Sequence, residues 1–151
     1  MGTPFKTPKP TNTFCVHAGN PNGIRVRKTT NDYAEYLQTM KTIGETRGCG
    51  RALWENFGGN DKYGTTMALM LLPFWTDGCI GSSEGLFFEA AGTTPYHFLA
   101  AGAMSKQSSN PVRELRYINN DAAVGVEYLQ ELGINYYLAV TPEAIAKADE
   151  V

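Results

Sequence analysis

Three carboxylates, Asp77, Glu84 and Glu89, fall within one short stretch of this chain, Leu72–Glu89, together with Trp75, Phe87, Phe88 and several glycines. Acids interleaved with aromatic rings are a sugar-contacting composition. Ring faces stack on the C–H surfaces of a pyranose, and carboxylates accept hydrogen bonds from its hydroxyls. Pairs of acids at a set separation can also cleave glycosidic bonds, but spacing along a chain does not establish that separation. A second reading uses the same residues differently: the aromatics build the core, the glycines make turns, and Asp77 and Glu84 bind loop amides. Arg51 and Glu55 flank a short apolar run around Trp54 and share strand parity, so they face the same side. An ion pair from Arg51 to Asp77 or Glu84 is expected.

Other chemistry is poorly represented. Neither G-x-G-x-x-G nor the P-loop pattern occurs, and H-E-x-x-H is absent too. No cofactor is expected. The chain has two histidines, His17 and His97. His97 lies in a helical stretch with no spaced triad partners, so it reads as a hydrogen-bonded packing residue. Cys15 and His17 form a C-x-H pair that could join Cys49 and Cys79 around zinc, but the spacing matches no standard zinc pattern, and no metal is expected. Three reduced thiols, or a Cys49–Cys79 disulfide with Cys15 left over, are the other readings. A net charge of −2 with no basic stripe argues against a nucleic-acid partner.

These residues must be held by secondary structure, and the elements can be read from spacing. The first 13 residues, rich in Pro, Lys and Thr, read as a flexible arm without the apolar core of a secretory signal, and residues 14–151 as a single α/β domain. Gly23–Arg27 is a possible short strand. Tyr33, Tyr36, Leu37, Met40 and Ile43 recur on one face, predicting a helix over 32–46 that Gly44 and Gly48 terminate. Arg51–Asn56 reads as a strand and Phe57–Asp61 as a loop. Tyr63–Leu72 could be helix or buried strand, with a break near Pro73. Thr76-Asp77-Gly78 is a turn, Gly85–Ala90 a strand, and Thr94-Pro95 opens a helix through Met104 with Thr94 as cap. Asn120 or Asp121 caps a helix that runs to Leu132 and stops at Gly133. Ile134–Val140 is a β-rich run, and Thr141-Pro142 caps a last helix. The predicted fold class is α/β, a small loop-rich sheet with helices packed on it. The longest apolar run, Met67–Trp75, contains Pro73 and falls short of the about 20 residues a membrane span needs.

Several blocks together resemble a large family of actinobacterial polytopic membrane proteins. They are Gly48–Glu55, Leu71–Ser82, Glu84–Ala90, Thr94–Leu99 and Leu132–Ala139, in order and with similar gaps, covering about Asp32 to Glu143. Members of that family look like glycosyltransferases that use polyprenyl-phosphate sugars and carry a domain outside the cytoplasm. The resemblance implies an accessory domain on the extracytoplasmic face, carried there by the membrane-spanning part of a longer parent, with this chain a truncated product, an excised piece or a split gene. Its implied partners are that transmembrane part and a glycan or polyprenyl-linked sugar. The family would keep its catalytic acid on loops between transmembrane helices that this chain lacks, so no catalytic residue is expected here. Trp54, Trp75, Asp77, Glu84 and Glu89 are the carbohydrate-contact candidates, expected on one concave, open face. A domain that only orders neighbouring loops or binds another protein, and a stand-alone carbohydrate-active enzyme, are the alternatives. Both Cys49 and Cys79 lie inside the resembling blocks and sit in glycine-flanked turns, and an oxidising compartment would favour a bond between them.

Overall fold

Parallel strands buried on both faces need apolar residues at nearly every position, and Tyr136-Tyr137-Leu138-Ala139 has that character. In the computed structural model, which describes residues 14–17, 32–85, 90–106 and 109–150, these residues form a central strand. Four strands make one parallel sheet: β1 (Phe14–His17), β2 (Gly50–Trp54), β3 (Ile80–Ser82) and β4 (Tyr136–Ala139), in the order β1-β4-β2-β3. The helices are α1 (Asp32–Arg47), α2 (Leu72–Trp75), α3 (Thr94–Met104), α4 (Ala122–Glu131) and α5 (Pro142–Asp149), with 3-10 turns at Gly58–Tyr63 and Ala68–Leu71. The α/β class is as the sequence implies.

Side-chain alternation along β2 and β4 divides the interior into two cores. Ala52, Trp54, Tyr136 and Leu138 pack with Tyr36, Met40 and Ile43 of α1 and with Leu69 and Leu72. Leu53, Tyr137 and Ala139 point the other way, onto Ala100 and Met104 of α3, Leu129 of α4 and Ala144 of α5. Helices α3 and α4 approach closely at Gly125, where a Cβ would lie 2.3 Å from the Met104 sulfur. None of the described helices is long and apolar enough to cross a membrane.

Element ends follow their caps. The Asp121 side chain accepts from the Val124 amide at the start of α4, and the Thr141 side chain accepts from the Ala144 amide at the start of α5. Gly133, at φ +64°, closes α4 in the left-handed conformation. Helix α3 begins one residue earlier than expected: Thr93 takes the cap position and Thr94 the first turn. Pro73 starts a helix instead of breaking one. It sits in the first turn of α2, where a missing N–H costs nothing. Phe57–Asp61 winds largely into the first 3-10 turn. Strands β1 and β3 are additions to the sequence reading, while Gly23–Arg27, the arm 1–13 and most of the Gly85–Ala90 run lie outside the described residues.

A covalent staple closes the amino edge of the sheet. Cys49, just before β2, and Cys79, just before β3, form a disulfide with a Cα–Cα distance of 4.6 Å. The Gly50 amide donates to the Cys79 carbonyl beside it, at 3.0 Å. Both sulfurs are thereby removed from the alternative zinc set with Cys15 and His17. On the α1 face, the rings of Tyr33, Tyr36 and Tyr63 cluster with centroids 5.8–6.4 Å apart. The Tyr33 hydroxyl donates to the Ala68 carbonyl at 2.7 Å, whereas the buried Tyr36 hydroxyl has no hydrogen-bond partner among the described residues. Burial, and then the neighbouring Tyr63 and Tyr33, hold the Tyr36 hydroxyl well above its ordinary pKa.

Two outcomes are expected. Reducing Cys49–Cys79, which closes a 30-residue separation, should lower the unfolding free energy by about 3–4 kcal/mol in denaturant titrations with and without reductant. Alkylation under denaturing conditions should then find one free thiol per oxidised chain, three cysteines less the bonded pair; three free thiols would exclude the bond. Tyr36→Phe should leave stability unchanged or raise it by up to about 1 kcal/mol, because it removes a buried hydroxyl that makes no hydrogen bond among the described residues. A clear loss in the same titration would mean that this hydroxyl is satisfied in solution.

Candidate functional site

In open sheets of parallel strands, ligands bind beyond the carboxyl ends of the strands, where neighbouring connections depart in opposite directions. Strands β2 and β4 are such a pair. After β2 the chain runs into the layer built on Leu69 and Leu72 and on to β3, while after β4 it enters α5, whose Ala144 belongs to the opposite core. A cavity of about 180 Å³ opens between the two strand ends. It is lined by Glu55, Asn56, Phe57, Lys106, Thr141 and Glu143.

Glu55 forms its floor and is 1% exposed. One carboxylate oxygen accepts from the Val140 amide at 2.8 Å and the Thr141 amide at 2.7 Å; the other accepts from the Thr141 hydroxyl at 2.6 Å. Its own amide donates to the Leu138 carbonyl at 2.9 Å, and its carbonyl accepts from the Asn60 side chain at 3.1 Å. The Thr141 hydroxyl that donates to Glu55 also accepts the Ala144 amide, linking β2, the β4 exit and the α5 start. The neighbouring Asn56 amide donates to the hydroxyl of fully buried Ser105 at 2.9 Å. At the rim, Lys106 pairs with Glu143, both about half exposed. The Lys106 hydrogen bond, then that of Glu143's own backbone amide, hold the Glu143 carboxyl below its usual range. Glu55 is thus occupied by three donors and Thr141 is engaged in two bonds.

The residues nominated from the sequence are not brought together. Trp54 is 4% exposed and packed in the α1-side core, so it cannot offer a ring face to a sugar. The reason is parity: Trp54 follows Ala52 onto a covered face of a sheet that has helices on both sides. Trp75 ends α2 with its ring edge-on to Phe74, centroids 5.0 Å apart, and both rings are exposed. Asp77, exposed at φ +52° in the turn before β3, lies at the amino edge of the sheet. Glu84 follows β3 at the carboxyl edge, where it pairs with His97 Nε2 of α3 at 3.0 Å. The direction of β3 therefore separates Asp77 from Glu84, and the expected common face with Trp75 does not form. Glu89 lies outside the described residues.

The Arg51 ion pair does not form either. Its guanidinium donates to the Leu132 carbonyl at 3.5 Å, and Glu84 is taken by His97. Arg51 and Glu55 do share the α3/α4 side with Leu53, but Arg51 is exposed and Glu55 is buried. His97 is the buried, hydrogen-bonded packing residue its context implies. Among the described residues no cluster of three or more acids, histidines and cysteines could hold a metal.

In the sequence Glu55 reads as a strand-flanking acid and Thr141 as a helix cap, and nothing there joins them into one site. A faint signal exists: an acid directly after the strand run Ala52-Leu53-Trp54, and the Thr141-Pro142-Glu143 helix start that it meets. Comparison of the chain with family models, with curated proteins and with solved structures finds no match.

Glu55→Ala leaves two part-buried amides and a hydroxyl without their acceptor. It should lower the unfolding free energy by about 3–5 kcal/mol in chemical denaturation. Hydrogen exchange should quicken at Val140, Thr141 and Ala144. A change under about 1 kcal/mol would mean that water replaces the carboxylate at no cost.

Proposed function

We propose that this chain is an extracytoplasmic accessory domain of a cell-envelope membrane protein resembling polyprenyl-phosphate-sugar-dependent glycosyltransferases, and that it binds or positions and does not catalyse. The observation carrying this reading is the Cys49–Cys79 disulfide. It joins two of the blocks on which the resemblance rests, and such bonds persist in oxidising compartments. The saturation of Glu55 and Thr141 supports a non-catalytic role.

A role in ordering neighbouring parts of the parent has its own support. Met67, Leu71, Phe74 and Trp75, spaced i, i+4, i+7 and i+8, are 43%, 49%, 71% and 41% exposed. Large apolar side chains left in water at helical spacing suit a surface covered by another element, and the transmembrane part of the parent is the partner this reading assigns.

Reporter fusions test the location. Alkaline phosphatase joined after Val151 in the parent reading frame should be active, because that enzyme needs an oxidising compartment to form its own disulfides, and a cytoplasmic-type reporter at the same site should be silent. The reverse pattern would reject an extracytoplasmic home.

A further inference from the structure

We infer that the cleft between the carboxyl ends of β2 and β4 is a subsite for one neutral sugar ring, with Phe57 as its stacking platform. This deepens the carbohydrate side of the proposed function and moves it away from Trp75, Asp77 and Glu84.

The position suits a nucleotide or phosphate at first sight, since it abuts the start of α5, where free amides would bind an anion. Most of those amides are already engaged. Val140 and Thr141 donate to Glu55, Pro142 has no N–H, and Ala144 donates to Thr141. The charges point the same way. Glu55 and Glu143 against Lys106 leave the lining one negative charge in excess, which disfavours any anionic ligand.

The groups left over are those a pyranose needs. The Phe57 ring is half-buried, and the bare α-carbon of Gly59 seats it: a Cβ there would come 2.2 Å from Phe57 Cε1. That contact holds the ring before any ligand arrives, which lowers the ordering cost of binding. The Asn56 side-chain amide makes no hydrogen bond among the described residues, so it offers both donor and acceptor to hydroxyls. Lys106 commits one of its three N–H donors to Glu143. At about 180 Å³ the cavity lies below the roughly 300–1,000 Å³ of sites for drug-sized ligands, so it takes a single ring and leaves the rest of a glycan in solvent.

The test is an NMR titration of the isotope-labelled chain with methyl glycosides of neutral hexoses and pentoses, run beside inorganic phosphate and glucuronate. At least one neutral glycoside should shift the Asn56 side-chain amide and the Phe57 and Thr141 signals saturably at millimolar concentration, and the two anions should not. Phe57→Ala and Asn56→Ala should each weaken that glycoside on the order of tenfold, Phe57→Tyr should retain it, and Gly59→Ala should weaken it by displacing the ring. If Phe57→Ala fails to fold, Asn56→Ala, at a side chain with no internal hydrogen bond, carries the test. Absence of cleft shifts with every neutral glycoside, shifts confined to Phe74 and Trp75, or saturation by phosphate would each overturn the inference. The reporter fusions are read independently: active phosphatase with a silent titration removes the sugar subsite alone, and inactive phosphatase with a saturable titration removes the extracytoplasmic reading alone.

Discussion

The Glu55 carboxylate joins three elements at the point where the chain changes layers. It stands at the end of β2, receives the amides that leave β4, and holds the threonine that caps α5. An acid removed from water is costly unless its oxygens are bonded, and here each of them is. The arrangement also helps to set where α5 starts, since the Thr141 hydroxyl donates to Glu55 while its oxygen accepts the Ala144 amide. The β2–β4 ladder, the cleft beside it and the packing of Ala144 on the second core follow from that corner.

A sheet covered on both faces explains other features. Parallel strands this short, three to five residues, contribute few ladder bonds each, so much of the stabilisation comes from the two apolar layers. The Tyr137 hydroxyl donates to the Met104 carbonyl at the end of α3, and the Tyr136 hydroxyl donates to the Gly48 carbonyl between α1 and β2. Successive residues of one strand thus secure helices on opposite faces. The disulfide acts at the other edge, holding together the entries of β2 and edge strand β3. The carboxyl edge is held by hydrogen bonds and the Glu84–His97 pair, and the cleft opens there.

The buried acid Glu55 joins strand ends, the His97–Glu84 pair links the β3 exit to α3, and the surface aromatics Phe74 and Trp75 belong to a short helix, α2, that does not line the cleft.

Much of the fold was legible because it rests on local rules. The periodicity of Tyr33 to Ile43, the Asp121 and Thr141 caps, the Gly133 stop and the β-rich run after it each depend on residues a few positions apart. The α1, α4, β4 and α5 elements follow from them directly. The glycines flanking Cys49 and Cys79 similarly marked turns where backbones can approach. Strands β1 and β3 were not legible, because four and three residues carry too little pattern and exist as strands only through their parallel partners. The site was beyond local reading for a related reason. Alternation assigns Trp54 to a face but cannot say that both faces are covered. Proximity of Asp77 and Glu84 in sequence implies nothing once a strand runs between them. Glu55 meets Thr141 across 86 positions, and that meeting is a property of strand order, which no spacing along the chain encodes.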